Sequence, residues 1–475
     1  MSRGLLAAAL LGALALGCTR GSSEPAASPA ASPARASEAP AAAPPAASVQ
    51  TPSAGTASGH GPAFLVDDWQ EALRRARAGG TLLFVDAWAP WCHTCWSMKR
   101  EVLHHDSLAA FGDRFTFAEI DTDRPQNADF VARYPVRNWP SFFVIDPASG
   151  AILALQGGSM SLPETLTFLE RALALRTASG PADQALAEGY RALQHGDPRA
   201  AAQRFEEAAR LAGPRRTEAA SAAVRAWREA KDPVACVSAA AQALLVVEGS
   251  AAAGDTASYL LICAAELPEG DLARSAARVA AQGKLEELVR TPAPGAAVDD
   301  RADILINLAD LYEELGRKDD ARKLHEQRLK LLEDDATAAD RTAADPAAAR
   351  VHDYARMNSY LALGRGEEAV ALFRGRIAQL PDDYEAHARL ASTLFKLGRH
   401  DEALPVAERA VALAYGPRRL RYLTLLADIQ AKRGDKAAER AALEQVVRDN
   451  AALDDKLKLA DLAAKAQARL ASAPN

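Results

Sequence analysis

Two thiols separated by two residues, Cys92 and Cys95, are the residues of this chain whose type and spacing most directly offer chemistry. They follow an apolar run, Leu82-Leu83-Phe84-Val85, and precede an amphipathic segment that closes at Leu103. This order predicts a strand, a sharp turn and a helix beginning at or near Cys92. Unpaired backbone N–H groups and the helix dipole at such a start favour an anion, so the Cys92 thiolate is stabilised. The second thiol, one helical turn on, is placed to attack a mixed disulfide formed at the first. The spacing therefore suits thiol–disulfide exchange.

The flanking elements must hold these thiols. Asp67-Asp68 ahead of 69–78 and Gly79-Gly80 after it mark a helix with an acidic start and a glycine stop. Residues 81–87 read as a buried strand, 92–103 as the second helix and 107–111 as a short third. A second strand is expected at 115–120, a helix at 127–134, paired strands at 141–145 and 151–155, and a closing helix at 162–175.

Phe84-Val85-Asp86-Ala87-Trp88-Ala89-Pro90-Trp91-Cys92-His93-Thr94-Cys95, with Asn138-Trp139-Pro140-Ser141-Phe142-Phe143 further on, resembles the thioredoxin family over about residues 64–176. The resemblance implies an α/β thioredoxin fold, a central mixed sheet with flanking helices. It makes Cys92 the attacking and Cys95 the resolving cysteine, and Pro140 a cis-proline beside the disulfide. Asp86 matches the buried acid behind the resolving cysteine; a carboxylate in an apolar strand has a raised pKa and can take a proton from Cys95. Trp91 completes a Trp-x-x-Trp before the thiols. The chain also departs from the family. His93-Thr94 replaces the Gly-Pro of general reducing thioredoxins, and a protonated His93 would favour the Cys92 thiolate. Trp139 replaces a smaller residue before the proline, where it either narrows the substrate groove or packs on the domain. Phe117 stands where general thioredoxins often keep a lysine near the buried acid, so no lysine relay is expected there.

The back half is alanine-rich and repeats a phrase: Gly316-Arg317-Lys318-Asp319-Asp320-Ala321, Gly364-Arg365-Gly366-Glu367-Glu368-Ala369 and Gly398-Arg399-His400-Asp401-Glu402-Ala403. The second and third copies lie one tetratricopeptide period apart. Further copies surround Gly196 and Gly434, an insertion falls at 334–349, and 217–290 reads as helical but matches poorly. By resemblance to tetratricopeptide proteins, 182–470 is expected to form an all-α, right-handed superhelix whose concave face receives protein partners.

The N-terminus supplies an address. A basic Met1-Ser2-Arg3 and a short apolar stretch read as a signal peptide. Ala15-Leu16-Gly17-Cys18 resembles a bacterial lipoprotein cleavage site, which implies a signal peptide over 1–17 and lipidation of Cys18. Residues 18–62 are Ala-, Pro- and Ser-rich, a composition that cannot bury a core; as a tether they would reach roughly 35–40 Å. The thioredoxin-like domain is then expected over 63–177. Formal net charge is −6, so nucleic acid is not an expected partner. The remaining thiols, Cys236 and Cys263, fall on neighbouring predicted helices. Buried free thiols are the default there, although an oxidising compartment would let them pair.

These features together predict a membrane-tethered, extracytoplasmic thiol–disulfide oxidoreductase facing the periplasm or the cell exterior. Its substrates are protein thiols and disulfides, which it would reduce, form or isomerise; in the reducing direction its electrons would come from a membrane donor, and its repeats recruit protein partners. No cofactor or metal is called for. The alternative is a non-catalytic tetratricopeptide scaffold of an envelope complex.

Overall fold

The computed structural model describes residues 61–472, apart from 177–179, 212, 294–295 and 343–349. The expected signal peptide, Cys18 and nearly all of the expected tether lie outside the described residues. Among the described residues, no helix is long and apolar enough to cross a membrane.

The front domain opens with β1 (Phe64–Val66), α1 (Trp69–Gly79), β2 (Leu82–Trp88), α2 (His93–Met98) and a π-helical turn (Lys99–Leu103). Then come α3 (Asp106–Ala109), β3 (Phe115–Asp121), α4 (Ala128–Arg133), β4 (Ser141–Ile145), β5 (Ile152–Gly157) and α5 (Leu162–Ala174). The five strands form one sheet in the order β1-β3-β2-β4-β5. β2 is parallel to β3 and antiparallel to β4, so the sheet is mixed, as the thioredoxin resemblance implies. β1 is absent from the sequence-based expectation. Three residues are too few to show a period-2 pattern, and only parallel pairing to β3 reveals the strand.

Alternation along β2 divides the core. Leu83, Val85 and Ala87 face α1 and α4, where Trp69, Phe130 and Tyr134 fill the layer. Leu82 and Phe84 face the other way, against Met98, Phe117, Phe142 and Phe168. Caps fix the helix ends: the Asp68 carboxylate accepts the Glu71 N–H at 2.9 Å, and Gly80 closes α1 in the left-handed region.

Among the described residues, fifteen helices follow. They are α6 (Pro181–Gln194), α7 (Pro198–Arg210), α8 (Arg216–Glu229), α9 (Pro233–Ala243), α10 (Ser250–Ala265), α11 (Leu272–Arg290), α12 (Val298–Glu314) and α13 (Lys318–Thr342). The rest are α14 (Asp353–Ala362), α15 (Gly366–Gln379), α16 (Tyr384–Lys396), α17 (His400–Leu413), α18 (Gly416–Arg433), α19 (Lys436–Ala452) and α20 (Ala460–Ser472). Each repeat glycine turns one helix into its partner: Gly196, Gly316, Gly364, Gly398 and Gly434 all have φ between +73° and +79°. Small residues let paired helices approach. A Cβ added at Gly189 would lie 2.4 Å from the Phe205 ring. The predicted insertion begins as helix, since α13 runs on to Thr342.

The array also covers the β5 edge of the sheet. Arg215 donates to the Leu153 carbonyl at 3.0 Å and Tyr190 to the Leu155 carbonyl at 3.4 Å. These contacts occupy backbone groups that an open edge would leave unpaired. The core layer containing Trp69 and Phe130 continues without a break into Tyr190, Phe205 and Trp227. Residues 59–475 accordingly form one compact unit.

Candidate functional site

Strands β1, β3 and β2 run parallel, so their carboxyl ends share one edge of the sheet. β2 delivers the chain there at Trp88, and Cys92 caps α2. The Cys92 Sγ accepts the Cys95 N–H at 3.0 Å, the contact that would stabilise a thiolate after reduction. Cys92 and Cys95 are joined by a disulfide with 5.3 Å between their Cα atoms. Cys95 is fully buried and Cys92 is 4% exposed. Thr94 is half-buried in the first turn of α2.

Asp86 lies on β2 between Glu119 of β3 and Phe142 of β4. Period-2 alternation puts it on the Phe84 face, the one that α2 and the π turn cover. Both of its carboxylate oxygens are buried without a hydrogen-bond partner. Burial is the main cause that raises its carboxyl to about 7; the Lys99 charge pulls it down and Glu119 pushes it up. A lysine charge does act on the acid, although Phe117 holds the β3 position where general thioredoxins often keep one. It comes from the π turn: Lys99 pairs with Glu119 and lies 3.5 Å from the centre of the Trp88 ring. The helix supplies the charge that β3 lacks.

Pro140 immediately precedes β4, whose Ser141 pairs with Ala87, and the Trp139–Pro140 peptide is cis. Trp139 packs rather than projecting. Its Nε1 donates to Thr122 Oγ1 at 2.8 Å, and its ring lies 5.0 Å from that of Trp91. Trp91 in turn donates to Asp123 at 2.7 Å. These contacts tie the Cys92–Cys95 turn, the proline loop and the end of β3 together.

The helical array closes over this turn. Arg418 of α18 lies 4.7 Å from the Trp91 ring, Tyr354 of α14 lies 5.7 Å from His93, and Arg350 lies 4.3 Å from Trp96. The Tyr415 hydroxyl donates to Asp121 at 2.5 Å. Gly416 is required beside it, with φ +54°, because an added Cβ would fall 2.0 Å from the Asp123 carbonyl oxygen. Arg100 pairs with Asp335 of α13 at 2.7 Å, and Ser159 bonds Asp300 of α12. Sequence reasoning missed all of these array residues. They lie more than 200 residues from the cysteines, and no local spacing marks them.

Cys236 and Cys263 are not free thiols, as the default had it. Packing of α9 on α10 brings their Cα atoms to 5.9 Å, and a disulfide joins them.

Residues 65–147 match the family model described as thioredoxin-like. Residues 304–339 and 383–449 match models of the tetratricopeptide repeat. No curated protein matches the chain. Among solved structures, it is similar to a tetratricopeptide repeat protein from Parabacteroides merdae at 13% identity, covering 60% of this chain and 99% of that one, with a TM-score of 0.39. MamA AMB-1 is similar at 20% identity, with 36% and 89% covered and a TM-score of 0.24. YrrB, a tetratricopeptide protein with an unusual peptide-binding site, is similar at 13% identity, with 44% and 90% covered and a TM-score of 0.23. The chain thus carries a thioredoxin-like domain, with a CxxC disulfide at the start of its second helix, followed by tetratricopeptide repeats that pack against it.

Proposed function

We propose that this protein is a membrane-tethered, extracytoplasmic thiol–disulfide oxidoreductase. The observation that carries the reading is the Cys92–Cys95 disulfide capping α2, with cis Pro140 at the same sheet end and the unpartnered Asp86 carboxylate on the strand that leads to it. In the reducing direction, the Cys92 thiolate attacks a substrate disulfide, forming a mixed disulfide and releasing one substrate thiolate. Cys95 gives its proton to Asp86 and attacks the Cys92 sulfur. The second substrate thiolate leaves, and the enzyme disulfide forms with two electrons passed to the substrate. A membrane electron donor would return the pair to the dithiol. Run backwards, the same steps form or isomerise protein disulfides. Lipid on Cys18 would hold the protein at the envelope, and the repeats would bind protein partners.

A protein substrate reaching Cys92 has to displace the Arg418–Trp91 and Tyr354–His93 contacts, because only 4% of Cys92 is exposed. The test is insulin reduction, and refolding of a scrambled disulfide protein, by the full chain and by Cys92→Ser. Equal rates reject the reading. The reduction potential assigns the direction: about −270 mV marks a reductase and about −120 mV an oxidase. Replacing Cys18 by Ala should release the protein from the membrane fraction.

The enclosure of Cys92 favours one second reading, a scaffold in which the front domain is passive. Cells carrying full-length Cys92→Ala decide it, since an unaltered phenotype would replace the enzyme with the scaffold.

A further inference from the structure

The array holds the front domain in two different ways. At α6 to α8, Tyr190, Phe205 and Trp227 share one apolar layer with Trp69 and Phe130. The two apolar layers of α14–α20 contain no front-domain residue. There the ties are polar or aromatic, and they gather at residues 415–418, where α18 begins. Tyr415 donates to Asp121 at 2.5 Å, and Arg124 lies 5.1 Å from the Tyr415 ring centre. Gly416 lies so close to the Asp123 carbonyl that an added Cβ would fall 2.0 Å from its oxygen. Arg418 lies 4.7 Å from the Trp91 ring centre.

The seat of this segment belongs to the Cys92 site. Trp91 immediately precedes Cys92 and donates to Asp123 at 2.7 Å. Arg124 pairs with Asp67 at 3.0 Å and with Asp121 at 3.2 Å, which fixes the end of β3 beneath Tyr415. The root of the segment lies within the array. Tyr415 packs edge-on against Tyr384 of α16 at 5.6 Å, and Arg418 bonds Glu385 at 3.2 Å and Tyr422 at 2.9 Å. Lifting 415–418 off Trp91 therefore breaks a hydrogen bond, a backbone contact and a cation–ring contact, but opens no shared apolar layer. Such ties are weak beside the layer that joins α6–α8 to the sheet, and regions held by few apolar contacts open first.

We infer that residues 415–418 are an autoinhibitory strap over the Cys92–Cys95 site. Seated, the strap closes the Trp91 side of a site in which Cys92 is 4% exposed. Lifted, it admits a protein chain to Trp91 and Cys92. A protein substrate then binds the lifted state alone, and its apparent affinity is scaled by the fraction of molecules in that state. A small thiol reagent needs no such opening. This inference rests on the oxidoreductase reading and makes the array a regulator of access to the disulfide.

Gly416 supplies the lever for the experiment. Gly416→Val places a side chain where the Asp123 carbonyl stands, so the strap cannot seat. In the full chain, kcat/KM for insulin reduction should rise about tenfold. Alkylation of reduced Cys92, read by mass spectrometry, should rise about as much with a maleimide carried on a polyethylene glycol chain, but less than about twofold with N-ethylmaleimide. An unchanged or lower rate with the large maleimide overturns the inference, as does an equal rise with both reagents. Where Gly416→Val does not fold, Tyr415→Phe/Arg418→Gln removes the bond to Asp121 and the cation over Trp91 without adding bulk. It leaves Glu385 paired with Arg389 at 2.9 Å, and the large maleimide should react about threefold faster. Failure of both wild type and variant to reduce insulin or glutathione disulfide rejects the oxidoreductase reading, while the ratio of the two alkylation rates still decides the strap.

Discussion

Among the described residues, two disulfides occur in contrasting settings. Cys92–Cys95 sits at a helix start, with a backbone N–H on Sγ, an unpartnered acid on the adjoining strand and charged side chains overhead. Cys236–Cys263 joins the interiors of α9 and α10 among alanines, valines and leucines, and its nearest polar contact is the Val224 carbonyl, 3.7 Å from Cys236. Both bonds are buried, so burial alone does not separate a reactive pair from an inert one. What differs is the field around the sulfur. A thiolate at Cys92 would meet positive charge, whereas one at Cys236 or Cys263 would face a carbonyl and hydrocarbon.

The sharpest way to break this contrast is to move the chemistry. Cys92→Ser should lower disulfide exchange at least about a thousandfold, while Cys236→Ala/Cys263→Ala should leave it within about twofold of wild type. Insulin turnover by the two variants measures both numbers, and comparable losses would dissolve the distinction.

Asp86→Asn comes next. Without its proton acceptor, Cys95 should resolve mixed disulfides about a hundredfold more slowly, with attack by Cys92 little changed. Trapped enzyme–substrate adducts on non-reducing gels would show this. The same variant should be more stable than wild type at pH 8. Folded Asp86 keeps its proton up to about pH 7, whereas the unfolded chain releases it near pH 3.8. Stability is therefore lost as pH rises across that window, by about 4 kcal/mol in all, and the amide escapes this loss.

The Cys92–Cys95 turn was legible in the sequence because the chemistry it offers is local. Cys92, Cys95 and Asp86 lie within ten residues, and an apolar strand before an amphipathic helix already states their geometry. The repeats were equally legible wherever glycine occupies the left-handed turn position. They faded over 217–290 partly because α8 turns into α9 at Lys231, which holds φ +53° without glycine. The turn geometry is kept while its sequence mark is lost. Lys99 was missed because it reaches Asp86 from a helix rather than from the strand that a pattern search inspects. Tyr354, Tyr415, Arg418 and the α12 acids were out of reach altogether. Their role depends on how the array packs back on the front domain, which no periodicity encodes.

The structural disulfide predicts a stability effect without a catalytic one. Its cysteines are separated by 27 positions. Opening that loop in Cys236→Ala/Cys263→Ala should cost about 2–4 kcal/mol, through greater freedom of the unfolded chain. Denaturant titration of the full chain checks this, and a cost confined to α9 and α10 in hydrogen exchange would localise it.

The smallest effect comes from a tie that is ionic rather than covalent. His352 bridges Asp299 and Asp335, and Asp335 holds Arg100 of the front domain. Burial opposes charge on His352, but its bonds to the two aspartates prevail and raise it to about 9. Because the folded value lies above the unfolded one, the contribution is complete below about pH 6.5 and disappears as pH rises through about 9. Between those limits the wild type should lose about 3 kcal/mol, and His352→Gln should show no such loss. At the acid end, hydrogen bonds from His352 and Arg100 overcome partial burial and hold Asp335 at about 2, so its share persists above pH 3.8 and fails as pH falls through about 2. Unfolding midpoints across pH 5–10 measure the alkaline limb. A His352→Gln profile parallel to the wild type would mean that the clamp adds nothing, and that packing and the remaining contacts alone hold the array over Cys92.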